Sequence, residues 1–177
     1  MDWDWKADLE KLKELYEDTN QDVLAPFIKE VGLDFLSNFY SSPVMFMGIG
    51  CPTSEHAYQM MKTLDIRDRI WIAKQPTPYK AKKAGGPKGI EGRKITMRPD
   101  WELVKLDVME QIVRAKFFQN AGLAKMLLQT GESPMVELNW WGDNVWGWSV
   151  KTHGGNNYLG FILEKVRNEL RRLEVEV

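Results

Sequence analysis

The stretch Pro52–Lys62, PTSEHAYQMMK, gathers an acid, an imidazole, a phenol, an amide and an amine in one short segment. Residues three, four and seven apart share a helix face. That rule groups Glu55, Tyr58, Gln59 and Lys62 on one side of a predicted helix, and Ala57, Met60, Met61 and Leu64 on an apolar stripe turned inward. A carboxylate and an amine on one face can move protons and add to an electrophilic carbon, given burial that keeps the amine partly neutral. A plain solvated face, with Glu55 favoured by the helix dipole, fits the same pattern. Both readings stay open on pattern alone.

His56 has no second histidine or cysteine at metal-ligand spacing, and Cys51 with His56 matches no common zinc pattern. No metal and no cofactor is expected. Nothing near Cys51 would lower its thiol pKa, which argues against a Cys/His nucleophilic pair. Two other regions carry chemistry. Lys80–Lys94, KAKKAGGPKGIEGRK, interleaves glycines with basic residues and reads as a phosphate clamp, without matching a Walker loop or a dinucleotide fingerprint. Eight tryptophans are unusual for this length, and several cluster in Trp140–Trp148, WWGDNVWGW, a suitable wall for stacking on a planar ring.

The elements that must hold these groups follow from periodicity and capping. Trp5, Leu9, Leu12 and Tyr16 recur at helical spacing over residues 4 to 17, with Asn20 and Pro26 marking the end. Val44–Met47, followed by Gly48-Ile49-Gly50, predicts a strand and a tight turn, and Thr53 or Ser54 caps the next helix. Asp100 caps a central helix whose apolar face runs from Trp101 through Val104, Val108, Ile112 and Ala115 to Phe118. A short helix over 121–129 ends at Thr130-Gly131. Met135–Leu138 and Val145-Trp146 read as short strands around a turn, and Asn156 or Asn157 caps a last helix facing inward through Leu159, Ile162, Leu163, Val166 and Leu170. The expectation is an α+β fold, a single compact helix-rich domain with a small antiparallel sheet.

A formal net charge of −1 argues against coating nucleic acid through bulk positive potential. A single cysteine excludes an intrachain disulfide framework, and neither a signal-peptide pattern nor an apolar run of membrane-spanning length is seen. A cytoplasmic protein is expected.

Taken in order, FLSNFY (35–40), PTSEHAYQ (52–59) with Lys62, RPDW (98–101), KFFQN (116–120), LLQTG (127–131), DNVWG (143–147) and NYLG (157–160) resemble the NADAR (YbiA-like) family of N-glycosidases. The resemblance runs from about Leu33 to Leu170, giving an N-terminal helical extension over 1–25 and the family domain over 26–177. It implies hydrolysis of a ribose C1–N bond. The first substrate it suggests is an ADP-ribosylated nucleobase such as ADP-ribosyl-guanine, possibly carried on DNA; phosphoribosylated aminopyrimidine intermediates of riboflavin synthesis are the alternative. Glu55, Lys62 and Asp143 are the catalytic candidates, with Lys62 forming a Schiff base to the opened sugar, or Glu55 or Asp143 acting as base for a water. Asn38, Phe39, Tyr58, Gln59, Arg93, Trp146, Gly147 and Asn157 are the substrate-binding candidates. A binding module that performs no chemistry would keep the tryptophans and the basic loop without needing both Glu55 and Lys62.

Overall fold

The computed structural model describes residues 4–14 and 23–175. In chain order these form α1 (Trp5–Glu14), two short 3-10 turns (Lys29–Val31, Asp34–Leu36), β1 (Val44–Phe46), β2 (Ile49–Cys51), α2 (Ser54–Met60), α3 (Ile66–Ala73) and α4 (Pro78–Ala84). There follow α5 (Trp101–Gln119), α6 (Ala121–Gln129), β3 (Leu138–Asn139), β4 (Trp148–Ser149) and α7 (Tyr158–Val175). The expected helix-rich α+β architecture with a small antiparallel sheet is observed. Contacts gather into two compact units, residues 38–123 and the described residues of 1–37 and 124–177. Tyr16 and Asn20, expected in and after the first helix, lie outside the described residues.

In the 38–123 unit, β1 and β2 form an antiparallel hairpin with Val44 opposite Cys51 and Phe46 opposite Ile49. Its turn residues Met47 and Gly48 have φ of 49° and 76°, the left-handed pair that suits a two-residue hairpin loop. Val44 and Phe46 are buried while Met45 faces out. The Gln119 side chain at the end of α5 brackets the outer edge of β1: the Met45 N–H donates to Gln119 Oε1 at 2.8 Å, and Gln119 Nε2 donates to the Met45 carbonyl at 2.9 Å.

Thr53 caps α2 by accepting the His56 N–H at 3.4 Å, and the helix packs against α3, α4, α5 and both strands of the hairpin. Every one of its residues is buried, so it has no solvated side. Leu64, expected on the inward stripe, is 61% exposed. The reason is that α2 stops at Met60, so the helical wheel does not extend to residue 64.

Two expectations for α5 change. Asp100 precedes the helix, but its carboxylate does not cap it; it takes a two-pronged hydrogen bond from Arg98, Nε to Oδ1 at 2.6 Å and Nη2 to Oδ2 at 2.8 Å. Arg98 thus engages both carboxylate oxygens. The inward face ends on buried Lys116 and Phe117, leaving Phe118 37% exposed with the Arg114 guanidinium over its ring.

In the other unit, β3 and β4 lie further along the chain than expected and pair in parallel, with Leu138 opposite Trp148 and Asn139 opposite Ser149. The intervening loop turns on side-chain hydrogen bonds from Asn139 and Asp143, so the chain re-enters in the same direction instead of folding back as a hairpin. Leu12, Val23, Ala25, Val136 and Leu138 form a buried cluster, with Leu9 and Trp148 against it. On α7, Leu159, Ile162, Leu163 and Val166 are buried as expected. Arg167 is buried beside them and donates to Thr130 Oγ1 and the Ser133 carbonyl, both at 2.9 Å.

Candidate active site

The backbone N–H groups at the start of α2 are met by Thr53 and by the loop before β1. The Asn38 carbonyl accepts the Glu55 N–H at 2.9 Å, so the loop before β1 docks on the first turn of the helix. Asn38 is buried, and its Nδ2 donates to Met109 Sδ at 3.3 Å. One turn along, Gln59 Nε2 donates to Glu55 Oε1 at 2.8 Å. Both side chains are buried, in place of the solvent stripe the sequence allowed.

Lys62 sits just past the end of α2, its backbone N–H donating to the Gln59 carbonyl and its own carbonyl accepting the Arg98 N–H. Its ammonium lies over two rings, 5.4 Å from the centre of Tyr58 and 5.8 Å from that of Trp101. The rings themselves pack tilted with centroids 5.1 Å apart. Ring faces attract a cation but cannot take its proton. Burial is the main cause holding the Lys62 pKa below the ordinary lysine value; Glu55 and Glu102 oppose it, while the like charges of Lys82 and Lys105 add to it. The amine is therefore easier to deprotonate than a surface lysine.

Phe39 is 39% exposed and carries Lys82 Nζ 5.7 Å from its ring centre. Sequence reasoning missed two of these participants. Trp101 was assigned to the core of α5, and Lys82 was one unremarkable member of a basic loop. Neither has a local signal, since both reach this group through the packing of α4 and α5 on α2.

Several amides of the basic loop donate within the chain: Gly85 to the Ala81 carbonyl, Gly86 to Lys83, Gly89 to Gly86, with Ile90 and Arg93 bonding each other. Lys80 pairs with Glu91 at 3.5 Å. Arg93 is held on α3, donating to Asp68 at 2.7 Å with its guanidinium 4.3 Å over Trp71.

His56 and Cys51 are structural. The His56 Nε2 donates to the Gln75 carbonyl at 2.9 Å, leaving Nδ1 to accept the Thr53 hydroxyl at 2.8 Å. Burial lowers its pKa, opposed by the Gln75 hydrogen bond, which suits this neutral tautomer. Burial pushes the Cys51 thiol up to about 11, which removes the thiolate a nucleophile needs. Among the described residues, no group of three or more histidine, cysteine or acidic side chains could hold a metal ion.

Asp143, Trp146, Gly147 and Asn157 belong to the other unit. There, side chains build backbone. Asp143 Oδ1 accepts the Val145 and Trp146 N–H groups at 3.0 and 2.9 Å. Asn139, fully buried, accepts from the Gly142 and Asp143 N–H groups and donates to the Asp143 and Trp148 carbonyls. The Asn157 side chain, expected as a helix cap or a ligand group, accepts from the Glu137 N–H at 3.0 Å and donates to the Met135 carbonyl at 2.8 Å. A Cβ on Gly147 would lie 2.0 Å from the Glu137 carbonyl oxygen, so glycine there makes room for backbone.

The NADAR domain family model matches residues 26–171. The chain belongs to the NADAR family. It is 37% identical over 135 residues to N-glycosidase YbiA of Escherichia coli strain K12, covering 76% of this chain and 79% of that one. The NMR structure of the E. coli protein YbiA superposes with a TM-score of 0.74 and 33% identity, over 90% of this chain and 91% of that one. Riboflavin biosynthesis protein VVA0006 of Vibrio vulnificus is 36% identical over 137 residues, 77% of this chain but 35% of that longer protein. This NADAR chain is accordingly an enzyme, a hydrolase acting on N-glycosyl bonds. Its family match takes in residues from both units and begins beyond α1. No described helix is long and apolar enough to cross a membrane.

Proposed function

We propose that the enzyme hydrolyses the ribose C1–N bond of a ribosylated nitrogenous base through a Schiff base on Lys62. The observation that carries this reading is the Lys62 ammonium, desolvated over Tyr58 and Trp101 beside Glu55. Lys62 Nζ bonds to C1 as the C1–N bond to the base breaks, and the departing base nitrogen takes a proton. The ring oxygen is protonated as the sugar opens to the Schiff base, and water added at C1 releases the sugar and returns the amine. Glu55, fixed by Gln59, moves these protons and stabilises the cationic carbon that develops at C1. Asp143, both of whose supports are backbone, acts by holding the loop that carries Trp146.

The substrate we infer first is an ADP-ribosylated nucleobase, with Asn38, Phe39 and Tyr58 contacting sugar and base and Gln59 acting through Glu55. A phosphoribosylated aminopyrimidine is the second reading, favoured by the riboflavin-biosynthesis name of the Vibrio relative and by the near-neutral net charge. The test is intact-protein mass with borohydride on each substrate, with released base measured in parallel. An adduct mapped to Lys62 together with base release supports the mechanism and identifies the substrate. Base release with no adduct on either substrate assigns the attack to water, and no release from either one overturns the proposal.

A further inference from the structure

Helix α4 ends at Gly85, which has φ −81° and ψ −1°. That is ordinary right-handed backbone, open to any L-residue, so conformation does not call for glycine here. Space does. A Cβ built on Gly85 would fall 2.3 Å from Gln59 Oε1, 3.0 Å from Gln59 Cβ and 3.2 Å from Gln59 Cδ. The carboxamide oxygen occupies the place of the missing methyl.

This contact reaches Glu55. The carboxamide is rigid and planar, so the position of Oε1 fixes the direction of Nε2. With Oε1 against the bare Cα of Gly85, Nε2 donates to Glu55 Oε1 at 2.8 Å. Gln59 is buried, and its Oε1 accepts no hydrogen bond among the described residues. An oxygen left without a donor is a cost the helix would avoid by turning the amide over. Donation to the carboxylate holds it in place. A side chain at Gly85 would displace Oε1 and swing Nε2 off Glu55.

We propose that Gly85 is a positioning residue: by lacking a side chain, it seats the Gln59 carboxamide so that its N–H orients the Glu55 carboxylate for the reaction. The inference rests on the proposed role of Glu55 at the C1–N bond. It also reassigns a glycine of the basic loop from anion binding to α2–α4 contact.

The test compares pH profiles of kcat and KM for wild type, Gly85→Ala, Gln59→Ala and the double variant, with Glu55→Gln alongside. A donated N–H favours the ionised carboxylate, so losing it moves the acid limb of the kcat profile to higher pH. Gly85→Ala and Gln59→Ala should each lower kcat by about tenfold and move that limb the same way, with KM changed less. In the double variant the displaced oxygen no longer exists, leaving only the tight Cβ approach, so its kcat should match that of Gln59→Ala. Multiplying losses, or an unmoved acid limb in Gly85→Ala, would overturn the inference. Should Gly85→Ala not fold, the pair Gln59→Ala and double variant still decides: equal kcat supports it, and a further tenfold loss overturns it. Inactive Glu55→Gln beside wild-type Gly85→Ala sinks the positioning role alone, whereas fully active Glu55→Gln removes the Glu55 reading beneath it.

Discussion

Helix α2 and the loop between β3 and β4 are both dense in polar groups, and they spend them differently. Around α2 the backbone is satisfied by Thr53, by the Asn38 carbonyl and by the helix itself. Glu55 and Lys62 are left facing one another's charge in a buried setting. In the loop, Asn139 and Asp143 give their side chains to backbone groups, and Asn157 does the same where α7 begins. Polar residues in a motif can thus serve chemistry or architecture, and the deciding observation is whether main-chain groups have already claimed them.

The largest test of that contrast is Lys62→Ala, expected to cut turnover by at least about 100-fold while the melting temperature stays near wild type. Turnover within a few-fold of wild type would move Lys62 to the architectural side. Asn157→Ala should do the opposite. It leaves the Met135 carbonyl and the Glu137 N–H without their partner and puts alanine at φ 49°. A loss of about 2 kcal/mol in urea unfolding is expected, with kcat of the folded fraction largely kept. A selective loss of kcat at wild-type stability would give Asn157 a part in the reaction. The smallest effect belongs to Lys82→Gln. Lys82 adds to the lowering of the Lys62 pKa, and attack requires the neutral amine. Removing that charge raises the Lys62 pKa, so the pH dependence of borohydride-trapped adduct formation at Lys62 should move to higher pH, less in high salt. Adduct formation whose pH dependence stays put, or moves to lower pH, would disconnect the two lysines.

Much of the fold was legible where local chemistry decides. The Thr53 cap and the helix end at Gly131 follow from residues within a few positions of one another, whereas the expected turn at Gly48-Ile49-Gly50 falls one residue earlier, at Met47-Gly48, with Ile49 and Gly50 in β2. The candidate site was legible as a grouping of residue types for the same reason, since Glu55, Tyr58, Gln59 and Lys62 share one segment. What was lost required knowledge of the partner. A helix ending at Met60 exposes Leu64; Arg98 engages both oxygens of Asp100; α4 and α5 bring Lys82 and Trp101 to Lys62. The parallel pairing of β3 and β4 depends on side-chain bonds from Asn139 that no periodicity records.

The Gln119 bracket on β1 has a consequence for association. In an antiparallel hairpin, the outward N–H and C=O of the edge strand form a template on which another chain's strand can add. Here Gln119 engages both outward groups of Met45, so a single carboxamide imitates an incoming strand and occupies its place. The apolar Met45 and Met47 side chains can stay exposed on a three-residue strand while its backbone offers no free rung for polymerisation at that point.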